Sequence, residues 1–390
     1  MELALYDPEY GYYARAARRS GRAGDFFTSV DVGALFGELL ELQIAEAGAL
    51  LRGAAEIAEQ AGRAETFDLV EAGAGNGRLA ADILRAAKRR DPRFYESIRL
   101  HLVEASAQAR AAQPHTLGDV ADRLVSSTAT LPDRFEGILI ANELLDALPT
   151  HQVVMRDDGL KEVYVAGGHL VEGSPSTPQL QEYLNRCGAA LEPGWRVEVN
   201  LRAVEWVREA ARRLVRGFMI VIDYGHEARE LYSATHSAGT LTSFSAHRGG
   251  GTDADAIHPS WLQRPGEQDI TAHVDFTSVR AAAEAEGLTA IGFLDQTYFL
   301  LGLVEHRERT TLNARLKPSR SGQFDDERGA TTSRGDRPED ERSAKAVAER
   351  AALKTLIMPG GLGSTMKVLI LGKGVGTPAL AGCSFKVRVT

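Results

Sequence analysis

A chain of 390 residues, 44% hydrophobic and 25% charged, has the composition of an ordinary globular protein and is long enough for one large domain with additions or for two. A net charge of -8 gives no overall basic footprint for nucleic acid, two cysteines are too few for a disulfide framework or a zinc site, and no apolar run approaches the roughly 20 residues that span a bilayer. Residues 1–9 lack a basic n-region and an apolar h-region, so a cytoplasmic setting is expected, with no nucleic-acid or membrane partner.

The first strong pattern lies at residues 67–79, where an apolar strand ends in Glu71 and is followed by Gly73, Gly75, Gly77 and a helix over residues 79–87. Glycines in that place let the backbone turn through positive φ and approach a ligand, and the helix behind them presents free N–H groups. The spacing is G-x-G-x-G, not the G-x-G-x-x-G of dinucleotide binders. An acidic residue at the strand end suits the ammonium of S-adenosylmethionine (SAM) better than a diphosphate. A purely structural glycine turn is the competing reading.

Further strands are expected at residues 98–103, 137–141, 218–222, 288–294 and 367–371, and a second helix at 203–214. Strands alternating with helices predict a parallel, doubly wound sheet, with ligands beyond the carboxyl ends of the strands. Glu104, Asn142 and Asp223 all fall at such ends. Glu104 is placed to accept both ribose hydroxyls of an adenosine-containing cofactor, or is simply a solvated strand-end carboxylate.

Asn142 and Glu143 follow a buried strand, with Asp146 three residues on. If Glu143 starts a helical turn, the two acids share a face. Convergent carboxylates beside a methyl donor suit a guanidinium, which stays protonated with a pKa above about 12. Acids that merely cap a helix are the alternative. Asp223 ends an apolar run and is expected to face the same crevice. Asp269 reads as a helix N-cap, and His273, one turn on, as a base or a structural histidine. The acids and histidines lack metalloprotease or EF-hand spacing, so no metal is expected.

Between these elements, residues 152–171 alternate and turn at Asp157-Asp158-Gly159 and Gly167-Gly168, predicting an inserted β-meander that walls a substrate site. Residues 317–342 are polar, charged and almost without apolar side chains, and read as a disordered loop. The segment 249–251 and the tail beyond Gly374 are read as flexible.

Several segments together resemble one family, the MidA-like SAM-dependent methyltransferases, whose mitochondrial members assist assembly of respiratory complex I. They are Ala4-Leu-Tyr-Asp-Pro-Glu-Tyr-Gly-Tyr-Tyr13, Gly24-Asp-Phe-Phe-Thr-Ser29, Leu35-Phe-Gly-Glu38, the glycine loop, Ala141-Asn-Glu-Leu-Leu-Asp-Ala-Leu-Pro149, Ile222-Asp-Tyr-Gly225, Gly239-Thr-Leu241 and residues 265–276, in family order over nearly the whole chain. The resemblance implies an α/β fold of the class I SAM-dependent methyltransferase type, a Rossmann-like doubly wound sheet with an N-terminal helical lid and an inserted β-rich and helical substrate region. It implies SAM as cofactor, held by Glu71, Gly73, Gly75, Gly77 and Glu104, with the segment bearing Asp25 and Thr28 folded over it. It further implies a protein arginine as acceptor, with Asn142, Glu143, Asp146, Asp223 and His273 as acceptor-side candidates. Two departures stand out: the family's usual Pro-Glu after Thr28-Ser29 is Val30-Asp31, and the chain starts almost on top of the Ala-Leu-Tyr segment.

The expected organisation is a lid segment (1–60), the first part of the SAM-binding core (61–150), an inserted subdomain (151–200), the core continued (201–316), a disordered insertion (317–345), a final helix and strand (346–374) and a flexible tail (375–390). A small-molecule methyltransferase of the same fold and a SAM-binding assembly protein without turnover are the rival functions. A dinucleotide oxidoreductase is disfavoured by the glycine spacing and by Glu71.

Overall fold

The computed structural model describes residues 1–16, 28–56, 66–245, 248–249, 259–316, 339–358 and 362–385. Its strands in chain order are β1 (Phe67–Ala72), β2 (Ile98–Val103), β3 (Leu124–Thr128), β4 (Phe135–Asn142), β5 (His151–Arg156), β6 (Gly159–Ala166), β7 (His169–Gly173), β8 (Arg196–Val199), β9 (Leu214–His226), β10 (Thr242–Ser245), β11 (Arg248–Gly249), β12 (Asp269–Thr271), β13 (Val274–Asp275), β14 (Thr289–Asp295) and β15 (Met366–Lys373).

The main sheet runs β14-β15-β9-β4-β1-β2-β3, with the short β13 pairing the end of β9. β1 to β4 and β9 pair in parallel, whereas β15 is antiparallel to both β9 and β14. The doubly wound sheet expected from the sequence is therefore present, with one strand, β15, running against its neighbours. β15 is buried on both faces, and a continuous apolar run looks the same in either direction.

Adjacent strand residues divide between two cores. Ile138, Ile140, Phe218 and Ile220 pack against Leu39 and Leu40 of helix Ala34–Glu56 and Ile83 and Leu84 of helix Arg78–Arg90. Leu139, Met219 and Val221 face the other way, onto Val207 and Ala210 of helix Leu201–Arg213 and Val279 and Ala282 of helix Phe276–Ala285. This alternation of period two, with helices on both faces, is why the central strands read as unbroken apolar runs.

The insertion is an antiparallel sheet of order β7-β6-β5-β8 that carries helix Gln179–Arg186. Three other expectations change. Asp269 and His273 lie in and just after β12 instead of opening a helix; the N-cap is Asp275, whose carboxylate accepts Thr277 and Ser278 N–H at 2.9 and 3.2 Å. The tail docks as far as residue 385, because Leu380 is buried and Gly382 N–H donates to Gln43 at 3.0 Å. The disordered stretch lies outside the described residues up to 338, and helix Glu339–Ile357 occupies its expected end.

Candidate active site

At the end of β1, Gly73, Gly75 and Gly77 all have positive φ, at 71°, 51° and 84°. A Cβ on Gly75 would meet nothing within 4 Å, so the loop opens a cradle there, while one on Gly73 would press on Leu144 at 3.1 Å. Both polar backbone groups of Gly75 are fixed by side chains. Its N–H donates to Glu104 Oε2 and its carbonyl accepts from Gln113 Nε2, each at 2.8 Å. Glu104 Oε1 accepts Ser106 N–H at 2.8 Å, so the carboxylate stands half-buried at the end of β2, beside the open face of the loop. The geometry fits an adenosine-containing cofactor, with Glu104 retaining lone pairs for sugar hydroxyls.

Glu71 lies beneath the loop. It is buried, and its Oε2 accepts the Ala80 N–H of the following helix at 3.1 Å; burial pushes its carboxyl up to about 8. The partner of this carboxylate within the chain is the start of the helix that follows the glycines.

Across the cradle, the segment after β4 turns back through Glu143, the one non-glycine residue with positive φ among those described, at 52°. Its N–H is held by Ile222 O at 2.8 Å, and such a conformation costs on the order of 1–3 kcal/mol. Glu143 Oε1 accepts Ser29 N–H at 3.2 Å and Asn142 Nδ2 at 3.3 Å. Glu143 Oε2 and Asn142 Oδ1 are buried and have no partner. Burial raises the Glu143 carboxyl to about 8.

Asp146 and Asp223 play a different part. Asp223 is fully buried; its Oδ2 accepts Leu144 and Leu145 N–H at 3.1 and 2.7 Å, and its Oδ1 accepts Tyr224 N–H at 2.9 Å. Burial raises both carboxyls: Asp223 to about 7, with these amides opposing the rise, and Asp146, which is buried and hydrogen-bonded to Asp223, well above the usual carboxylate range, so that Asp146 keeps its proton. The expected Glu143–Asp146 pair on one helical face is therefore corrected. Residues 143–148 form turns, and the Asp146 carboxyl faces Asp223.

The amino-terminal segment borders these residues. Tyr6 Oη donates to Ala147 O at 3.0 Å, and Tyr13 Oη donates to Asp269 Oδ1 at 2.9 Å. Thr28 and Asp31 form a capping box, and Asp31 Oδ1 reaches Arg78 Nη1 at 3.0 Å, joining this corner to the first residue of the helix after the glycines. The hydroxyl of Thr28 donates to Asp31 Oδ2 at 2.9 Å within this corner. Asp25 lies outside the described residues.

His273 groups with His226 and His236, its ring centroid 5.3 and 6.1 Å from theirs, and burial pushes it down to about 3. Sequence spacing alone missed this cluster, because 47 positions separate its ends. It also missed Gln113, Ser29 and Asn200, which hold Gly75, Glu143 and the carbonyls of Leu145 and Leu148. Ser29 alone carried a signal, since it closes one of the family segments.

Residues 50–294 match a family model described as "Putative S-adenosyl-L-methionine-dependent methyltransferase". Proteins named protein arginine methyltransferase NDUFAF7, mitochondrial, are similar in sequence. The Danio rerio protein is 28% identical over 80% of this chain and 74% of its own, and the Mus musculus protein 28% identical over 83% and 74%. Among solved structures, a Burkholderia thailandensis protein bound to S-adenosyl-homocysteine superposes with a TM-score of 0.77 at 26% identity, covering 98% of this chain and 89% of the other.

Proposed function

The chain belongs to the family of S-adenosyl-L-methionine-dependent methyltransferases, and from that premise we propose that it methylates a guanidinium nitrogen of a protein arginine. The observation that carries the choice of acceptor is the pair of orphaned acceptors, Glu143 Oε2 and Asn142 Oδ1. Two adjacent buried oxygens without donors call for a ligand rich in N–H groups, and a guanidinium offers five in a planar fork. The relatives named protein arginine methyltransferase support the same class of acceptor.

Bound SAM supplies an electrophilic methyl on a sulfonium with a thioether as leaving group. Ionised Glu143 through Oε2 and Asn142 through Oδ1 would each accept an N–H of the acceptor, drawing the positive charge toward that side and leaving the remaining nitrogen with a lone pair for the methyl group. The surplus proton on that nitrogen then passes to Glu143 or to water. Asn142 fixes the plane of the fork. Asp223, through the Leu144 and Leu145 amides, holds the turn that points Glu143 into the site.

Incubating the full chain with methyl-labelled SAM and proteins from cells lacking it, followed by mass spectrometry, tests the reading. Label on arginine side chains is expected. Label confined to small metabolites, or SAM binding with no transfer at all, would replace this function by one of its rivals. A reducing, cytoplasmic setting belongs to the same proposal and is supported by Cys187 and Cys383 being free thiols. Cell fractionation tests it.

A further inference from the structure

We propose that His226, His236 and His273 form a binding site for a divalent transition-metal ion of zinc type, outside the methyl-transfer residues. Three elements bring them together. His226 ends β9, His236 ends the turn Ala234–His236, and His273 immediately precedes β13, which pairs with the end of β9 through Val274 and Gly225. One ring nitrogen from each lies within 4.8 Å of the other two, and no other group of this kind occurs among the described residues.

Imidazole nitrogens about 2.0–2.1 Å from a tetrahedral zinc stand roughly 3.4 Å apart, so the rings need to close by at most about 1.4 Å. Rotation about their side-chain bonds supplies that. Neutral imidazole is the form that ligates.

Two further observations point to a ligand. His273 Nδ1 is buried and unpartnered, the state a metal or a donor relieves. His236 Nδ1 lies 3.0 Å from the carbonyl of Glu230, which fixes the proton there and leaves Nε2 with its lone pair free, as in histidines oriented for metal binding. The carboxylate of the same Glu230 comes within 3.0 Å of His226 Nδ1 and stands outside the group of three as an outer-shell anion that orients the ring. Lys367, the neighbouring cation, is bonded to Asp295 and to Ser364 O. Three imidazoles with a water in the fourth position suit zinc, and also accept cobalt, nickel or copper.

The ion would clasp the end of β9 to the segment that leads into β13. Ala272 N–H in that segment donates to Asp146 O at 3.1 Å, so the clasp would stiffen one side of the catalytic turn.

The test uses the full chain without a histidine tag, stripped by chelator and titrated with Co2+ and Zn2+. The expected result is one ion per chain after dialysis, by elemental analysis, with the intense visible bands of tetrahedral cobalt. His236→Gln, on a short half-exposed turn, should weaken zinc binding by about 100-fold or more, and exposed His115→Ala should leave it unchanged. Zinc should raise the Tm of the starting protein and not that of His236→Gln. Pale octahedral cobalt spectra, or zinc binding that His236→Gln does not weaken, would overturn the proposal. Each readout is independent of methyl transfer, so the site stands or falls apart from the acceptor assignment.

Discussion

Ser29 N–H donates to Glu143 Oε1 at 3.2 Å across 114 positions of sequence, so the corner that leads out of the amino-terminal segment is tied directly to the candidate acceptor carboxylate. One oxygen of Glu143 thus orients the side chain, and the other remains for an acceptor. Glu143→Gln keeps the carbonyl that Ser29 needs but removes the charge. SAM affinity by calorimetry should be unchanged, while kcat falls by about 100-fold or more. Unaltered turnover would remove Glu143 from the mechanism.

The same carboxyl sets a pH dependence. Its folded pKa, about 8, lies above the unfolded value of about 4.3, so its contribution to stability is fully present below the unfolded pKa and is lost as pH rises through 8. Against the starting protein, Glu143→Gln should therefore gain stability from pH 5 to about pH 8 and level off above it, by on the order of a few kcal/mol, read as a rising difference in Tm. Activity should move the opposite way. The ionised form binds the guanidinium, so kcat/KM should climb toward pH 8 in the starting protein and lose that limb in the variant. Parallel Tm curves for the two proteins would contradict the raised pKa.

The glycine loop provides a test that is independent of the acceptor. Gly75 has φ 51° and is gripped at both N–H and carbonyl by Glu104 and Gln113, so it cannot relax when a β-branched side chain is added. Gly75→Val should abolish SAM binding in calorimetry. Gln113→Ala, which frees only the carbonyl, should weaken it by about tenfold. Wild-type affinity in Gly75→Val would show that the cofactor lies elsewhere.

How much of this was legible in the sequence follows from range. Gly73, Gly75 and Gly77 announced themselves because a local backbone requirement has a local residue signature. The strand ends at Glu104, Asn142 and Asp223 were found for the same reason, since apolar runs stop where the sheet stops. Asp146 was misread because two acids three residues apart imply one helical face, and the buried amides gathered by Asp223 impose a turn instead. The direction of β15 and the meeting of His226 with His236 and His273 depend on pairing between distant segments. No local pattern encodes either.

That misreading gives the sharpest contrast between neighbours. Asp223 accepts Leu144, Leu145 and Tyr224 N–H in a fully buried place, so Asp223→Asn sets an amide donor against backbone donors. It should destabilise the protein by about 2–4 kcal/mol, read as a lower Tm, and take turnover down with it by releasing Glu143 from its strained conformation. Asp146 keeps its proton and donates to Asp223, a task that an asparagine amide performs as well. Asp146→Asn should therefore leave the Tm within about 0.5 kcal/mol equivalent and turnover within a few fold. If Asp146→Asn instead abolished methyl transfer at unchanged Tm, the acid would contact the acceptor directly, and the pairing with Glu143 expected from the sequence would be restored.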